Sequence, residues 1–182
     1  KGVWVVGNGG RGADKNNHIE ADGSGPKSQR FAYDFSSRYV KGIGKNLEDY
    51  EAFGSRVIAP ADGIISQVVN GSVDVSIGEA DLFVFTGNMI VIDHKNGEWS
   101  VLAHLKHNSI RVKVGSRVKR GDLLGLCGNT GNTSEPHVHY HLQDDALMYR
   151  ATGLPAQFKK IKVDGEVKES FEPERNQKVE NI

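Results

Sequence analysis

The sequence predicts a mainly β fold, an antiparallel sheet with long loops and little helix. Three observations carry this. Glycine is 22 of 182 residues against only 5 prolines, and the glycines punctuate short β-branched runs: "RVIAPADGIISQVV" (56–69), "NMIVIDHKNGEWSVLAHL" (88–105) and "SIRVKVGSRVKRGDLLGLCG" (109–128). That is the rhythm of strands joined by tight hairpins. The polar stretch after Asp34, "FSSRYVKGIGKNLEDYEAF", has room for one short helix at most, at "NLEDYEAF". Finally, "EPHVHYH" (135–141) alternates histidine with the strand formers Val138 and Tyr140, and turn chemistry, "GNTGNTSEP" (128–136), leads into it.

From the N-terminus, "VWVV" is an apolar run followed by a Gly/Asn-rich loop, "GNGGRGADKNNH" (7–18), and similar composition continues through residues 20–29. "GNGGRG" fits GxGxxG literally, but no helical apolar period follows to supply the helix N-terminus that a pyrophosphate needs. It is therefore read as loop, placed to lie over a site. The segment between Asp34 and Gly54 reads as a surface insertion. "DHKNGEW" (93–99) is a hairpin tip, an Asn-Gly turn between two apolar strands. From Glu169 onward, "ESFEPERNQKVENI" is charged and nearly free of apolar residues, which predicts an extended or frayed tail. The expected organisation is one domain over residues 1–168, with its core in 54–145, and a charged tail over 169–182.

Composition narrows the function classes. Lys+Arg and Asp+Glu are 23 each, so no net field selects nucleic acid or an anionic membrane. The longest apolar stretch, "LFVFTGNMIVI" (82–92), is too short and interrupted to span a bilayer, and no basic-then-apolar leader opens the sequence. Cys127 is alone, which excludes an internal disulfide, and its apolar and glycine neighbours make it a small buried hydrophobe rather than a nucleophile.

Histidine is the informative residue. Three of the seven, His137, His139 and His141, stand at alternate positions, so on a strand their rings line one face about 7 Å apart. Imidazole is both the commonest zinc ligand and the side chain best poised for proton transfer near neutral pH. His104, in "SVLAHLKH" (100–107), faces as Leu102 does if its segment is a regular strand. His94 in its Asn-Gly turn is a structural residue, and Asn129 and Asn132 read as turn residues.

The combination of "GSRVIAPADGIISQV", "GNMIVIDHKNGEWSVLAHL" and "VKVGSRVKRGDLLGLCGNTGNTSEPHVHYHLQD" over residues 54–145 resembles the lysostaphin-type zinc metallopeptidases, which cut peptide bonds in bacterial cell-wall peptidoglycan. The HxH pair alone is a weak motif; preceded by GNTG and the upstream AHL it is strong. The resemblance implies a groove-forming β-sandwich, a Zn2+ cofactor, an extended peptide substrate and a secreted or periplasmic location. It also implies that His139 is a zinc ligand and that His137 and His104 are catalytic. The remaining ligands of that family are a histidine and an aspartate in HxxxD. "RFAYDF" (30–35) supplies Asp34, but Arg30 stands where the histidine is expected, and the upstream His18 is the candidate in its place. His141 occupies a position where the family commonly has an acidic residue; it is either a partner behind a ligand or, on the preferred reading, a plain strand histidine. With three protein ligands, zinc keeps a fourth position for a water whose pKa it lowers towards ~7. No HExxH helix is present, so His104 and His137 are the groups left to orient or deprotonate that water and to hold the oxyanion.

Three other readings compete. A catalytically inactive relative would serve as an envelope binding or activating module, but loss of ligands would be its mark and the AHL and HxH histidines are all present. A lipoyl- or biotinyl-like carrier would account for "APADGIISQV" and "VKVGSRVKRGDLLG", and Lys95 stands at a hairpin tip, yet that reading has no use for His104, His137 and His139. A structural zinc domain needs four closing ligands, usually with several cysteines.

Overall fold

Thirteen strands run through the described residues of the computed structural model, which are 2–19, 25–37 and 40–182. They are β1 (Val3–Asn8), β2 (Tyr33–Ser36), β3 (Arg56–Ile58), β4 (Gly63–Val69), β5 (Asn88–Asp93), β6 (Trp99–Leu105), β7 (Arg117–Val118), β8 (Leu123–Leu126), β9 (His137–Gln143), β10 (Gly153–Leu154), β11 (Phe158–Val163), β12 (Glu166–Phe171) and β13 (Lys178–Asn181). Ten form one path in the order β12-β11-β13-β1-β2-β9-β6-β5-β4-β7, β10 adds to β9, and β3 pairs with β8 in a small second sheet. Every pairing is antiparallel. The mainly β expectation holds. The helix allowed at "NLEDYEAF" shrinks to a 3-10 turn, Leu47–Asp49, closed by a capping box between Asn46 and Asp49. A second such turn spans Lys27–Gln29. Part of the Gly-rich stretch, residues 20–24, and part of the surface insertion, residues 38–39, lie outside the described residues.

The alternation read in "HVHYHLQ" sorts the central sheet into two faces. Val138 and Tyr140 pair with Phe35 and Tyr33 on one side of β9, and Tyr140 pairs with Leu102 on the other. All belong to or pack against the main apolar cluster. The intervening residues point the opposite way, so His139 stands between Asp34 of β2 and Ala103 of β6. A one-residue slip would put three imidazoles into the core.

The charged C-terminal segment, expected as an extended or frayed tail, is paired into the sheet. It is extended but not frayed: β13 is inserted between β11 and β1, pairing with both. One apolar residue suffices there because the backbone is hydrogen-bonded on both edges. Val179 is 4% exposed and joins the core, while Glu180 faces Lys162 at 3.4 Å. Counting charges hides a strand whose period-two pattern has a single buried tooth.

Val179→Ala should therefore cost about 2 kcal/mol in stability, whereas Val167→Ala, at a position 60% exposed on β12, should stay within about 0.5 kcal/mol of the parent. Equal denaturation midpoints for the two variants would contradict the paired terminal strand.

Candidate active site

Asp34 and His139 face each other across the β2–β9 ladder, with Asp34 Oδ1 3.0 Å from His139 Nδ1. The other carboxylate oxygen is 3.0 Å from His18 Nε2 and accepts a 2.6 Å hydrogen bond from Asn8 Nδ2. His18, sixteen residues before Asp34 in the chain, is thus brought to it in space. The position four residues before Asp34 holds the exposed Arg30, whose guanidinium lies 5.9 Å from the Phe31 ring. Asn16 fixes the approach: fully buried, it donates to Ala32 O and Gly10 O while its Oδ1 accepts from the His18 backbone amide.

Two β-bulges aim side chains that regular alternation would misdirect. In β1 the register shifts between Val6 and Asn8. Val6 points into the core, and the extra residue, Gly7, turns Asn8 toward Asp34 instead of after Val6. In β6, Ile90 pairs with Leu102 but Asn88 pairs with Leu105, so two residues of β6 oppose one of β5. His104 sits in this bulge in the left-handed region, φ 59°. The expectation that His104 faces as Leu102 does is therefore corrected: Leu102 and Leu105 both enter the core, and His104 turns to the groove with Ala103. Its ring centroid is 4.7 Å from that of His137 and 5.8 Å from that of His139.

Backbone carbonyls, which only accept, set the tautomers. His104 Nδ1–H donates to Thr130 O at 2.8 Å and His137 Nδ1–H donates to Glu135 O at 2.9 Å, so in the neutral rings Nε2 carries the lone pair. His137 Nε2 is 3.6 Å from Asp34 Oδ1. On the other side of His139 runs a directional chain. Gln143 Nε2 donates to Asp145 O, which turns Gln143 Oε1 toward His141 Nε2–H at 2.8 Å. His141 Nδ1 must then accept from His139 Nε2–H at 2.9 Å. This leaves His139 Nδ1 without a proton, aimed at the Asp34 carboxylate. His141 is thus a partner of the candidate ligand, more than the plain strand histidine the sequence suggests.

Burial works to raise the Asp34 carboxyl, but its contacts with His139 and His18 and the charge of His137 outweigh it and hold the group well below the usual carboxylate range. Burial pushes His139 down, against the pull of Asp34, and, with His139 beside it, pushes His141 down to about 3. Burial and the neighbouring His137 and His139 hold His104 well below the ordinary histidine value. An ionised carboxylate faced at 3.0 Å by a bare ring nitrogen sets lone pair against lone pair, which a cation between them reconciles. The ligand atoms of His18, Asp34 and His139 all lie within 4.8 Å of one another, a donor set suited to a borderline divalent metal.

The five site residues open onto a cavity of about 370 Å³ whose walls include Ala80, Phe85, Asn132 and Ser134. The walls are braced by backbone bonds, Gly78 N to Ser134 O, Asp81 N to Gly131 O and Asn132 N to Phe85 O. Gly131 is in the left-handed region at φ 83°, and a Cβ there would collide with the Gly87 amide, so the GNTG turn closes only with glycine. Asn129 is structural, donating to Val75 O and accepting from Thr133 Oγ1, whereas Asn132 lines the groove. Reasoning from sequence did not single out Asn8, Asn16 or Gln143. The alternation that marks His139 and His141 does extend to Gln143 and is the one signal for it.

A strand-built groove with two imidazoles and a carboxylate converging at its floor, and two more imidazoles beside them, defines a metallopeptidase-like site. The profile of peptidase family M23 matches residues 45–150, more than half of the sequence, and the chain belongs to this family. Among curated proteins it is 29% identical to peptidoglycan DD-endopeptidase ShyA of Vibrio cholerae over 119 residues, 62% of this chain and 24% of that protein. It is 28% identical to ShyC of the same organism, covering 74% of this chain and 28% of that protein. Cell division protein DipM of Caulobacter vibrioides is 31% identical over 69% of this chain and 19% of its own length. The chain thus spans about a quarter of the length of these relatives. Among solved structures, the catalytic domain of the prophage-encoded M23 protein EnpA from Enterococcus faecalis has a TM-score of 0.53 at 19% identity, covering 83% of this chain and 87% of that one. LytU gives 0.53 at 22% identity over 84% and 82%. These two share the fold. The profile match starts after Asp34, so the pairing of His18 and Asp34 with the HxH strand rests on the geometry above.

Gln143→Leu should leave His141 Nε2–H buried without an acceptor and cost about 1–3 kcal/mol. In 15N spectra of the parent protein, His141 should titrate in its Nε2–H form. An Nδ1–H form would reverse the direction of the chain and remove the argument for a bare His139 Nδ1.

Proposed function

We propose that the protein is a zinc-dependent metalloendopeptidase that hydrolyses peptide bonds in bacterial cell-wall peptidoglycan, with His18, Asp34 and His139 as metal ligands and His104 and His137 as catalytic residues. The observation that carries this reading is the convergence of those three donors with two flanking rings whose lone-pair nitrogens are on Nε2. Two neutral imidazoles and one carboxylate would leave a bound Zn2+ at net +1, and the ion supplies Lewis acidity for polarising water and carbonyl oxygen. The residues of this chain do the rest. A bare Nε2 on His104 or His137 accepts the proton of an attacking water, and the same nitrogen, once protonated, donates to an oxyanion. The Thr130 and Glu135 carbonyls hold the rings in the tautomer this requires. The site opens onto a cavity of about 370 Å³ whose walls are braced by backbone bonds, and the substrate assigned to it is an extended peptide. The names of ShyA and ShyC support peptidoglycan as the source of that peptide, and such a substrate lies in the cell envelope.

The competing readings gain nothing from the geometry. An inactive binding module has no need of a complete donor set beside two tautomer-fixed rings. A carrier domain needs a free lysine at its tip, and Lys95 is bonded to Asp93 at 2.7 Å.

His139→Ala and Asp34→Ala should each lose bound zinc, since each removes a direct bond from a three-ligand site. His104→Ala and His137→Ala should keep zinc and lose about 10²- to 10⁴-fold in turnover of purified peptidoglycan. Metal analysis and product chromatography on the same preparations read both. Full turnover without His104 and His137, or a metal-free parent protein that gains no activity on adding zinc, would remove the reading.

A further inference from the structure

We propose that Arg175 is a positioning residue for His18, clamping the loop that carries this imidazole to the sheet from the opposite end of the chain. The inference rests on the reading of His18 as a metal ligand and deepens it. Residues 9–19 form neither strand nor helix. Their internal bonds, Gly9 N to Lys15 O and the Lys15 and Asn16 amides to Gly12 O, close the loop on itself. They do not fasten residues 17 and 18 to the site. Apart from Asn16 and the bond from the Asn17 amide to Asn8 Oδ1, that fastening comes from one guanidinium. Arg175 Nε donates to Gly7 O at 3.0 Å, Nη1 to Asp14 O at 3.3 Å, and Nη2 to Asn8 Oδ1 at 2.7 Å and to Asn17 Oδ1. It therefore ties β1 to the loop on both sides of Lys15 and Asn16. Asn8 Oδ1 also accepts from the Asn17 amide, and the same Asn8 side chain donates to Asp34. The path from Arg175 to both candidate ligands, His18 through its neighbour Asn17 and Asp34 through Asn8, is made of direct hydrogen bonds.

The planar fork of arginine suits this task, because several donors in fixed geometry hold several carbonyl oxygens at once. Its base is firm. Val6 N donates to Gln177 O and Asn176 N to Val6 O, and Pro173 is buried against the turn after β1. A Cβ on Gly9 would come within 3.0 Å of Pro173 O and 2.6 Å of Val6 Cγ1, so the two segments touch at backbone distance. The ion pairs along the same seam, Arg11–Glu172 and Lys15–Glu174, are exposed and contribute little. Without the clamp, the loop would have to be ordered at the moment of metal binding, and affinity would fall by that cost.

The test is zinc affinity of the whole chain by competition with a chromogenic chelator, with melting curves of the zinc-free and zinc-loaded forms. Arg175→Ala should weaken zinc binding about 10- to 100-fold, the usual effect of losing a residue that orients a ligand, and shrink the rise in melting temperature that zinc produces. Arg175→Lys should recover part of the affinity, and Arg11→Ala none of the loss should show. Asn17→Ala, which removes one acceptor from the clamp and leaves the arginine in place, should weaken binding in the same direction and keeps the test sound if Arg175→Ala fails to fold. Unchanged zinc affinity in Asn17→Ala and Arg175→Ala, or equal lowering of both melting points with affinity intact, overturns the clamp. His18→Ala separates the two levels: if it loses zinc while the clamp variants do not, only this inference fails, and if it keeps zinc, the ligand reading of His18 fails and the clamp with it.

Discussion

A carboxylate in the middle of a sheet is the constraint around which the rest is arranged. Asp34 has a side chain only 13% exposed, and an ionised group so placed costs several kcal/mol unless its oxygens are matched. Its strand register sets it opposite His139; an amide from Asn8 and two further rings, His18 and His137, complete the surroundings. They come from three segments, β9, β1 and the loop after β1. The Asn8 amide satisfies Oδ2, while the bare His139 Nδ1 leaves Oδ1 facing a place suited to a cation, so the surroundings of one anion tie together β1, β2, β9 and the loop after β1, and the same convergence produces the donor cluster.

The sheet alone cannot provide this. Period-two alternation delivers His137, His139 and Asp34 to one face, because the apolar partners Val138, Tyr140 and Phe35 hold the other face in the core. Asn8 and His104 lie on the wrong parity, and each reaches the groove through a bulge. The bulge at His104 costs a left-handed backbone at a non-glycine residue, a conformation histidine tolerates better than most. It is held there by backbone bonds from the His104 amide to Thr86 O and from the Gly128 amide to His104 O, so the strain is locked by the same loops that wall the groove.

The central residues of the site were legible in the sequence because their signals are local. Alternate histidines after a GNTG turn need only strand periodicity to become one face. His104 was legible as a member of the set but not in its orientation, since a bulge depends on the register of the neighbouring strand. Its mark, Leu102 and Leu105 spaced three apart and both buried, is visible only after pairing. His18 was legible as the sole histidine upstream of Asp34, and nothing in its loop says how it reaches the site; Asn16 and Asn17 look like any turn residues. The C-terminal segment was legible as extended but not as paired, because its stabilisation is mostly backbone pairing, which composition does not record.

The pairing of the terminal strand has a structural counterpart. The region matched by the family profile contains His104, His137 and His139 but neither His18 nor Asp34. Two of the three candidate ligands therefore belong to the part of the chain that β13 holds in register. β1 lies between β13 and β2 in the sheet, and the Asn176 and Val6 backbone groups bind each other at the point where β1 bends toward Asp34. A site whose chemistry resides in the middle of the chain is closed by its two ends. The core does not distinguish the two parts, since Val6, Tyr33 and Val179 belong to one apolar cluster with Ile90, Ile92 and Leu124; only the loop of residues 9–19, which forms neither strand nor helix, depends on polar contacts for its place, and local opening follows the segments with the fewest buried apolar contacts.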